Sequence, residues 1–300
     1  MILTDRSAGN DAVLPSVVVL GEILWDILGD TRRLGGAPLN FSAHAHALGH
    51  RVDLISALGA DELGREAFRC LARLGLDAGY VKTSTQFGTG TASVSVPTGT
   101  DPQFTIARPA AYDDFRLTDS ELESLSELAP SWFYFGTLFA ATHSGRLVLG
   151  QLLESLVGAA KLLDLNLRPG ADAPGLALEL MALADVVKLN EDELERVHRA
   201  TGLPSDAEAF CRAAVDSYGW RAVCVTRGER GCAMLADGDF VQVPGRAIVV
   251  ADTVGAGDAF TAAFMHGLSR QWPVAEIAEF ANGVAATVAE HPSSLPIGSV

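Results

Sequence analysis

The string Ala251-Asp252-Thr253-Val254-Gly255-Ala256-Gly257-Asp258-Ala259-Phe260 places two glycines one residue apart, a carboxylate directly after them, and a helix-forming run from Ala259 to Leu268. Glycines let backbone N–H groups approach an anion closely, and a helix start adds partial positive charge. A carboxylate at that spot repels a resident anion. It suits a transferring phosphoryl group, because the attacking hydroxyl must lose a proton. The chemistry described by this spacing is phosphoryl transfer to an alcohol. Taken alone, the same letters also describe a capped helix, so the reading depends on the other constellations in the chain.

Gly35-Gly36-Ala37-Pro38-Leu39-Asn40 forms a second constellation. The glycines permit an unusual turn, Pro38 suits a first helical turn, and Asn40 offers a ligand both a donor and acceptors. Phe41, Ala45 and Leu48 mark the buried stripe of that helix, and Gly49 ends it. Asp26, in Glu22-Ile23-Leu24-Trp25-Asp26, follows the first β-prone run, where a carboxylate can accept hydrogen bonds from sugar hydroxyls. Asp164-Leu165-Asn166-Leu167-Arg168-Pro169 gathers polar groups after another run; a solvated loop explains them equally. In Lys188-Leu189-Asn190-Glu191-Asp192-Glu193, Asn190 and Glu193 have capping-box spacing. Glu193 also suits the outer shell of hydrated Mg²⁺. Thr226-Arg227-Gly228-Glu229-Arg230-Gly231 offers a tight turn, a hydroxyl and local positive charge near phosphates, or a plain hairpin into Cys232–Ala236.

Several chemistries are excluded. His44, His46 and His50 tempt a metal reading, but His44 and His46 lie about 200° apart on a helix and His50 follows the terminating glycine. No H-E-x-x-H, no G-x-x-x-x-G-K-[ST] and no protein-kinase signature is present. Cys70, Cys211, Cys224 and Cys232 make no C-x-x-C pair, which points to reduced thiols in a cytoplasm. The formal net charge of -15 argues against nucleic acid and anionic membrane surfaces as partners. Residues 1–16 lack a signal-peptide core, no apolar run approaches membrane-spanning length, and residues 1–15 and about 292–300 read as tails.

The elements that must position these residues alternate. β-Prone runs lie at Val17–Leu20, Val52–Ala57, Trp132–Phe135, Lys161–Leu165, Val186–Leu189, Ala222–Thr226 and Ala247–Val250, most of them separated by helix-length periodic segments such as Leu147, Leu152, Leu153 and Leu156. That rhythm predicts an α/β parallel sheet covered on both faces. Residues 24–35 and 79–108 break it. Gly88-Thr89-Gly90-Thr91 and the alternation Ala92-Ser93-Val94-Ser95-Val96-Pro97 predict antiparallel strands projecting from the main sheet as a lid, or else a decorated edge. With 48% hydrophobic residues, 300 residues can bury a large core.

In order and spacing the motifs resemble the ribokinase-like sugar kinases of the pfkB family, over most of the chain. Asp252–Asp258 resembles the C-terminal signature, Gly35–Asn40 the N-terminal one, and Asn190 to Glu193 the N-x-x-E element. The resemblance implies a three-layer α/β fold with a mostly parallel central sheet and a small β-sheet lid, with residues 1–300 as a single kinase domain. It implies Asp258 as the catalytic base and the amides of Gly255, Ala256 and Gly257 as the anion hole. Asp26, Gly36 and Asn40 would hold the sugar. Lys188, Asn190, Thr226, Gly228, Gly231 and Asn282 would border ATP, Glu193 would organise Mg²⁺ through water, and Asp252 would help bind a monovalent cation such as K⁺, as in some members. Gly-Gly-Ala-Pro-x-Asn, the Asp-x-Asn-x-Arg-Pro element and Arg108–Asp113 look most like fructokinases. 2-Keto-3-deoxygluconate kinase is the nearest rival, since Arg168 and Arg108 would meet a substrate carboxylate; ribokinase follows. Ala289–Ser294 departs from the Arg/Gly-rich ending of many members. A catalytically silent sugar-binding regulator on the same scaffold is the reading from another class. Fold analogy also suggests a homodimer paired through lid strands.

Overall fold

The computed structural model describes residues 15–95, 103–168 and 175–296. Pro97, Pro169, residues 1–14 and residues 297–300 lie outside the described residues; the rest of the expected C-terminal tail is not loose, since Ser294 and Leu295 are buried and the Ser294 carbonyl meets His44. The strands, in chain order, are β1 (Val17–Leu20), β2 (Leu24–Leu28), β3 (Thr31–Gly35), β4 (Val52–Gly59), β5 (Val81–Ser84), β6 (Gly90–Ser95) and β7 (Gln103–Ile106). They continue with β8 (Trp132–Gly136), β9 (Ala160–Asp164), β10 (Val186–Asn190), β11 (Ala222–Thr226), β12 (Cys232–Ala236) and β13 (Asp239–Val243). The helices are α1 (Ala37–Ala47), α2 (Glu62–Arg73), α3 (Asp119–Glu127), α4 (Thr137–Ala140), α5 (His143–Ser155), α6 (Leu176–Met181), α7 (Glu191–Thr201), α8 (Ala207–Tyr218), α9 (Ala256–Ser269) and α10 (Val274–Ala289).

A nine-stranded sheet runs β13-β12-β11-β10-β9-β8-β1-β4-β5, parallel from β11 through β5 and antiparallel only at its β12 and β13 edge. Parallel strands covered on both faces read as unbroken apolar runs, and β1 is buried along its whole Val-Val-Val-Leu length. Successive side chains serve opposite faces. Val17 and Val19 join Phe41, Phe264 and Leu71 under α1, α2, α9 and α10. Val18 and Leu20 join Phe133, Leu152 and Phe210 under α3 to α8. The result is the three-layer α/β arrangement with a mostly parallel sheet.

A second, four-stranded sheet has the order β3-β2-β6-β7. Its outer pairs are antiparallel and its central β2–β6 pair is parallel. Its composition corrects the sequence reading of 79–108. β5 belongs to the main sheet, with Ser56 opposite Val81, so only β6 and β7 of that stretch join β2 and β3. Two further expectations fail. Ala247–Val250 forms no strand: Val249 is 87% exposed, and the chain past it is held by Ala251 and Asp252 amides donating to the Ala289 carbonyl. β-Branched residues need a neighbouring strand to pair with, and here Ala247, Ile248 and Val250 face a cavity shared with α10 instead. In α5 the buried stripe is Gly145, Val148, Leu149 and Leu152, leaving Leu147 exposed. Leu147 falls out of helical phase with Leu152.

Candidate active site

Two helix N-termini meet beyond the carboxyl ends of the parallel strands, the place where open α/β sheets carry ligands. Each helix begins on a glycine with positive φ, Gly36 at +107° for α1 and Gly255 at +80° for α9. A Cβ at Gly36 would stand 2.6 Å from the Glu22 carbonyl oxygen, and one at Gly255 would stand 2.4 Å from the Ser294 Cβ. Both turns therefore require glycine on steric as well as conformational grounds. They bring Asn40 and Asp258, 218 residues apart, into contact: Asn40 Nδ2 donates to Asp258 Oδ2 at 2.8 Å.

Asp258 is 8% exposed. Burial, reinforced by the neighbouring Asp164, lifts its carboxyl to about 6, against the Asn40 hydrogen bond and the charges of Lys188 and Arg168. At neutral pH it is ionised yet basic enough to take a proton, the condition for a general base. Behind it, Lys188 Nζ donates to Asp164 Oδ1 at 3.1 Å, and Thr261 Oγ1 donates to Asp164 Oδ2 at 2.9 Å. Burial works to lower the Lys188 pKa, but Asp164, Glu193 and Asp258 outweigh it and raise it to about 12. The ammonium is thus a fixed cation. It abuts the start of α9 closely enough that a Cβ at Gly257 would lie 3.2 Å from Nζ. The start of α9 and the ammonium thus lie side by side, a pairing that suits an anion.

Two cavities share this spot. The smaller, about 310 Å³, has a polar wall including Asp26, Asn40, Asn166, Arg168 and Asp258, and an apolar wall of Leu24, Ala92, Ile106 and Leu138. The small sheet covers it, since Leu24, Asp26, Ala92 and Ile106 come from β2, β6 and β7. The larger, about 710 Å³, is lined by backbone-rich turns at Gly228–Gly231 and Gly245–Ile248 and by the α10 face Asn282, Ala285, Ala286 and Ala289. Asn190, Thr226, Thr253 and Gly257 line both.

Most of the residues singled out in the sequence are brought together here. Asp26, Gly36, Asn40, Arg168, Lys188, Gly255, Gly257 and Asp258 line the smaller cavity; Gly228, Gly231, Ala256 and Asn282 line the larger; Asn190 and Thr226 line both. Three line neither, and their partners give the reason. Arg108 donates to Asp113 and to the Leu138 carbonyl at 3.1 Å, which ties it into the 110–113 turn instead of the cavity. Glu193 accepts from the Leu167 amide at 2.7 Å and the Asn190 amide at 2.8 Å, so both its oxygens clamp loops. Asp252 accepts from Arg33 Nη1 at 2.5 Å and from the Val254 amide at 3.0 Å. The histidines also part: His44 meets the Ser294 carbonyl, His46 is exposed, and His50 meets Pro15 and His266.

Sequence reasoning missed Glu22 and Asn166 as cavity residues. Glu22 is 5% exposed, and burial pushes its carboxyl up to about 7. Asn166 holds a positive φ of 41°. Both stood inside quoted motifs, and the available signal was their position just past a strand's carboxyl end. Burial likewise raises Asp26 to about 6, with Arg168 opposing.

The pfkB family carbohydrate kinase model matches residues 21–296. A fructokinase from Escherichia coli is 30% identical over 272 residues, covering 84% of each chain. An uncharacterized sugar kinase from Pyrococcus horikoshii, solved in complex with ATP, is 25% identical with a TM-score of 0.77, covering 93% of each chain. A fructokinase with bound ATP from Xylella fastidiosa shares the fold at a TM-score of 0.80 and 22% identity, again over 93% of each chain. With the family match spanning nearly the whole fold and both of its glycine-capped helix starts, this chain belongs to the pfkB family of carbohydrate kinases.

Proposed function

We propose that this sugar kinase transfers the γ-phosphoryl group of ATP to the 6-hydroxyl of D-fructose. The observation that carries the reading is the place of Asp258, whose carboxyl opens on the smaller cavity one residue from Gly257, which faces both. The sugar occupies the smaller cavity, with hydroxyls on Asp26, Asn40 and Asn166 and its C–H face on Leu24 and Ile106. ATP lies in the larger cavity, its triphosphate running past Thr226 and Gly228 to the amides of Gly255, Ala256 and Gly257. The 6-oxygen attacks the γ-phosphorus, the bond to the β-phosphate bridging oxygen breaks, ADP leaves, and the hydroxyl proton passes to Asp258. Such a transfer depends on positioning and charge stabilisation more than on covalent chemistry. Among the described residues no group of three or more His, Cys, Asp or Glu is placed to hold a metal ion. Mg²⁺ would be held chiefly by the nucleotide's own phosphates and by water, and would supply charge neutralisation there.

A second reading rests on Arg168. Its charge acts on Glu22, Asp26 and Asp258 at the cavity it lines, where it would also receive a carboxylate. The acceptor would then be a sugar acid such as 2-keto-3-deoxygluconate. ADP release measured with Mg²⁺ across fructose, 2-keto-3-deoxygluconate, ribose, glucose and adenosine separates the readings. The highest kcat/KM is expected for fructose; a higher value for the sugar acid assigns the acceptor to Arg168. Fructose binding with no ADP from any sugar would make the chain a silent binder.

A further inference from the structure

The small sheet and the turn that opens α9 are joined by one ion pair. Arg33 sits on β3, directly opposite Asp26 of β2 in the antiparallel register. Its guanidinium reaches 219 residues along the chain to Asp252, with Nη1 at 2.5 Å from Oδ2. The other carboxylate oxygen, Oδ1, accepts from the Val254 amide at 3.0 Å. Residues 253–255 line the smaller cavity on one side, while β2, β6 and β7 line it on the other. The pair thus spans the cavity from its cover to its anion-binding turn.

The same contacts decide how Asp252 relates to a monovalent cation. One oxygen carries a guanidinium and the other a peptide N–H, so the carboxylate's charge is already met by a side chain of this protein. A K⁺ ion against it would have to displace Arg33 or stand beside a fixed positive charge. The residues present do not fit the cation that the family resemblance suggests for this carboxylate.

We propose that Arg33 is a positioning residue for phosphoryl transfer, supplying at Asp252 the positive charge a monovalent cation would bring, and fixing the turn whose amides receive the phosphoryl group. The inference rests on the kinase reading for its catalytic consequence, though not for the clamp itself. Arg33 touches neither the sugar nor the nucleotide in this arrangement. It acts through Asp252, whose hold on the Val254 amide sets the approach of Gly255 and Gly257. Arginine suits the role, because its charge is permanent and its planar fork holds a carboxylate in one geometry. The pair is partly exposed, with side chains 43% and 24% accessible, so its effect is modest.

Two measurements on the full chain test this. Hydrogen exchange of the unliganded protein reads the clamp without any substrate: in Arg33→Gln, amides of residues 253–257 should exchange about three to ten times faster than in the parent. Unchanged exchange overturns the clamp whatever the chemistry proves to be. ADP release with the best acceptor reads its consequence. Arg33→Gln should lower kcat about three- to tenfold with the KM for ATP unchanged, Arg33→Lys should recover part of it, and Arg33→Gln/Asp252→Asn should be no slower than the worse single variant. Replacing K⁺ by tetramethylammonium at constant ionic strength should leave the parent within about twofold. A parent that loses most turnover without K⁺, or an Arg33→Gln whose only change is a higher sugar KM, refutes the proposal. A parent that yields no ADP from any acceptor refutes the kinase reading instead, and the exchange measurement still decides the clamp.

Discussion

The two cavities that meet at Gly257 are built from different materials. The smaller presents ionisable side chains: Glu22, Asp26, Asp258, Arg168 and Lys188 all line it. The larger is rich in glycine and alanine, with Arg230, Arg246 and Glu229 as its charged members. The difference follows from what each must do under the proposed function. An acceptor sugar is selected hydroxyl by hydroxyl and must be relieved of a proton. A nucleotide needs a long slot whose fixed dipoles meet phosphate charge. Substitutions on the sugar side should therefore change the chemical step and the pH response, and those on the nucleotide side should change affinity.

The largest effect should come from Asp258→Asn. The amide keeps the volume and can still meet Asn40, but it cannot accept the proton. Turnover in an ADP-release assay should fall by roughly 10²–10⁴-fold with the sugar KM little changed. Retention of parental turnover would remove Asp258 from the reaction and with it the contrast between the cavities. Because burial holds the carboxyl at about 6, the parent's kcat/KM should decline as pH falls through that value, as the base becomes protonated.

Next comes Lys188→Met. Asp164 is fully buried and Lys188 is its charge partner. Removing one member of a buried pair leaves an uncompensated charge, at a cost of about 3–5 kcal/mol. Denaturant unfolding should report a loss of that order at neutral pH. A loss below about 1 kcal/mol would mean that Asp164 is held by Thr261 alone.

How much of this was legible in the letters depended on the range of the contacts involved. Asp258, Gly36 and Asn40 were found because a helix start has a local signature: glycine where φ must be positive, then a polar residue within the first turn. The parallel sheet was legible because strands buried on both faces are unbroken apolar runs. Glu22 escaped because its character comes from burial, beside Ala37 and Pro38 of α1 and Tyr134 and Gly136 of β8, and no letter next to it marks that position as enclosed. The Arg33 partner of Asp252 escaped because it lies 219 residues away on β3. β5 read as lid because a four-residue strand carries no mark of which sheet edge it will join.

Glu22 gives a finer test of the sugar side. Its folded carboxyl stands near 7, above its unfolded value of 4.5, so between those values the folded state holds the extra proton. Stability from this group is therefore present at low pH and lost as pH rises through about 7. Glu22→Gln removes that dependence. The variant's stability relative to the parent should be about 2 kcal/mol more favourable at pH 8 than at pH 5.5. Taking the difference cancels the contributions of His44 and His50, whose burial makes them harder to protonate in the fold. A difference that does not move with pH would mean that Glu22 is solvated at the cavity mouth.

The smallest effect should lie on the nucleotide side. Asn282 is 9% exposed on α10, and it lines the larger cavity beside the Cys232 thiol. Asn282→Ala removes one neutral hydrogen-bonding group from that wall, so the unliganded protein should lose little stability. Affinity should suffer instead: the KM for ATP should rise about fivefold, matching roughly 1 kcal/mol for one neutral hydrogen bond, with kcat within about twofold. The contrast between the cavities fails if this substitution slows turnover as Asp258→Asn does, because the larger cavity would then be shaping the transition state and not only holding its donor.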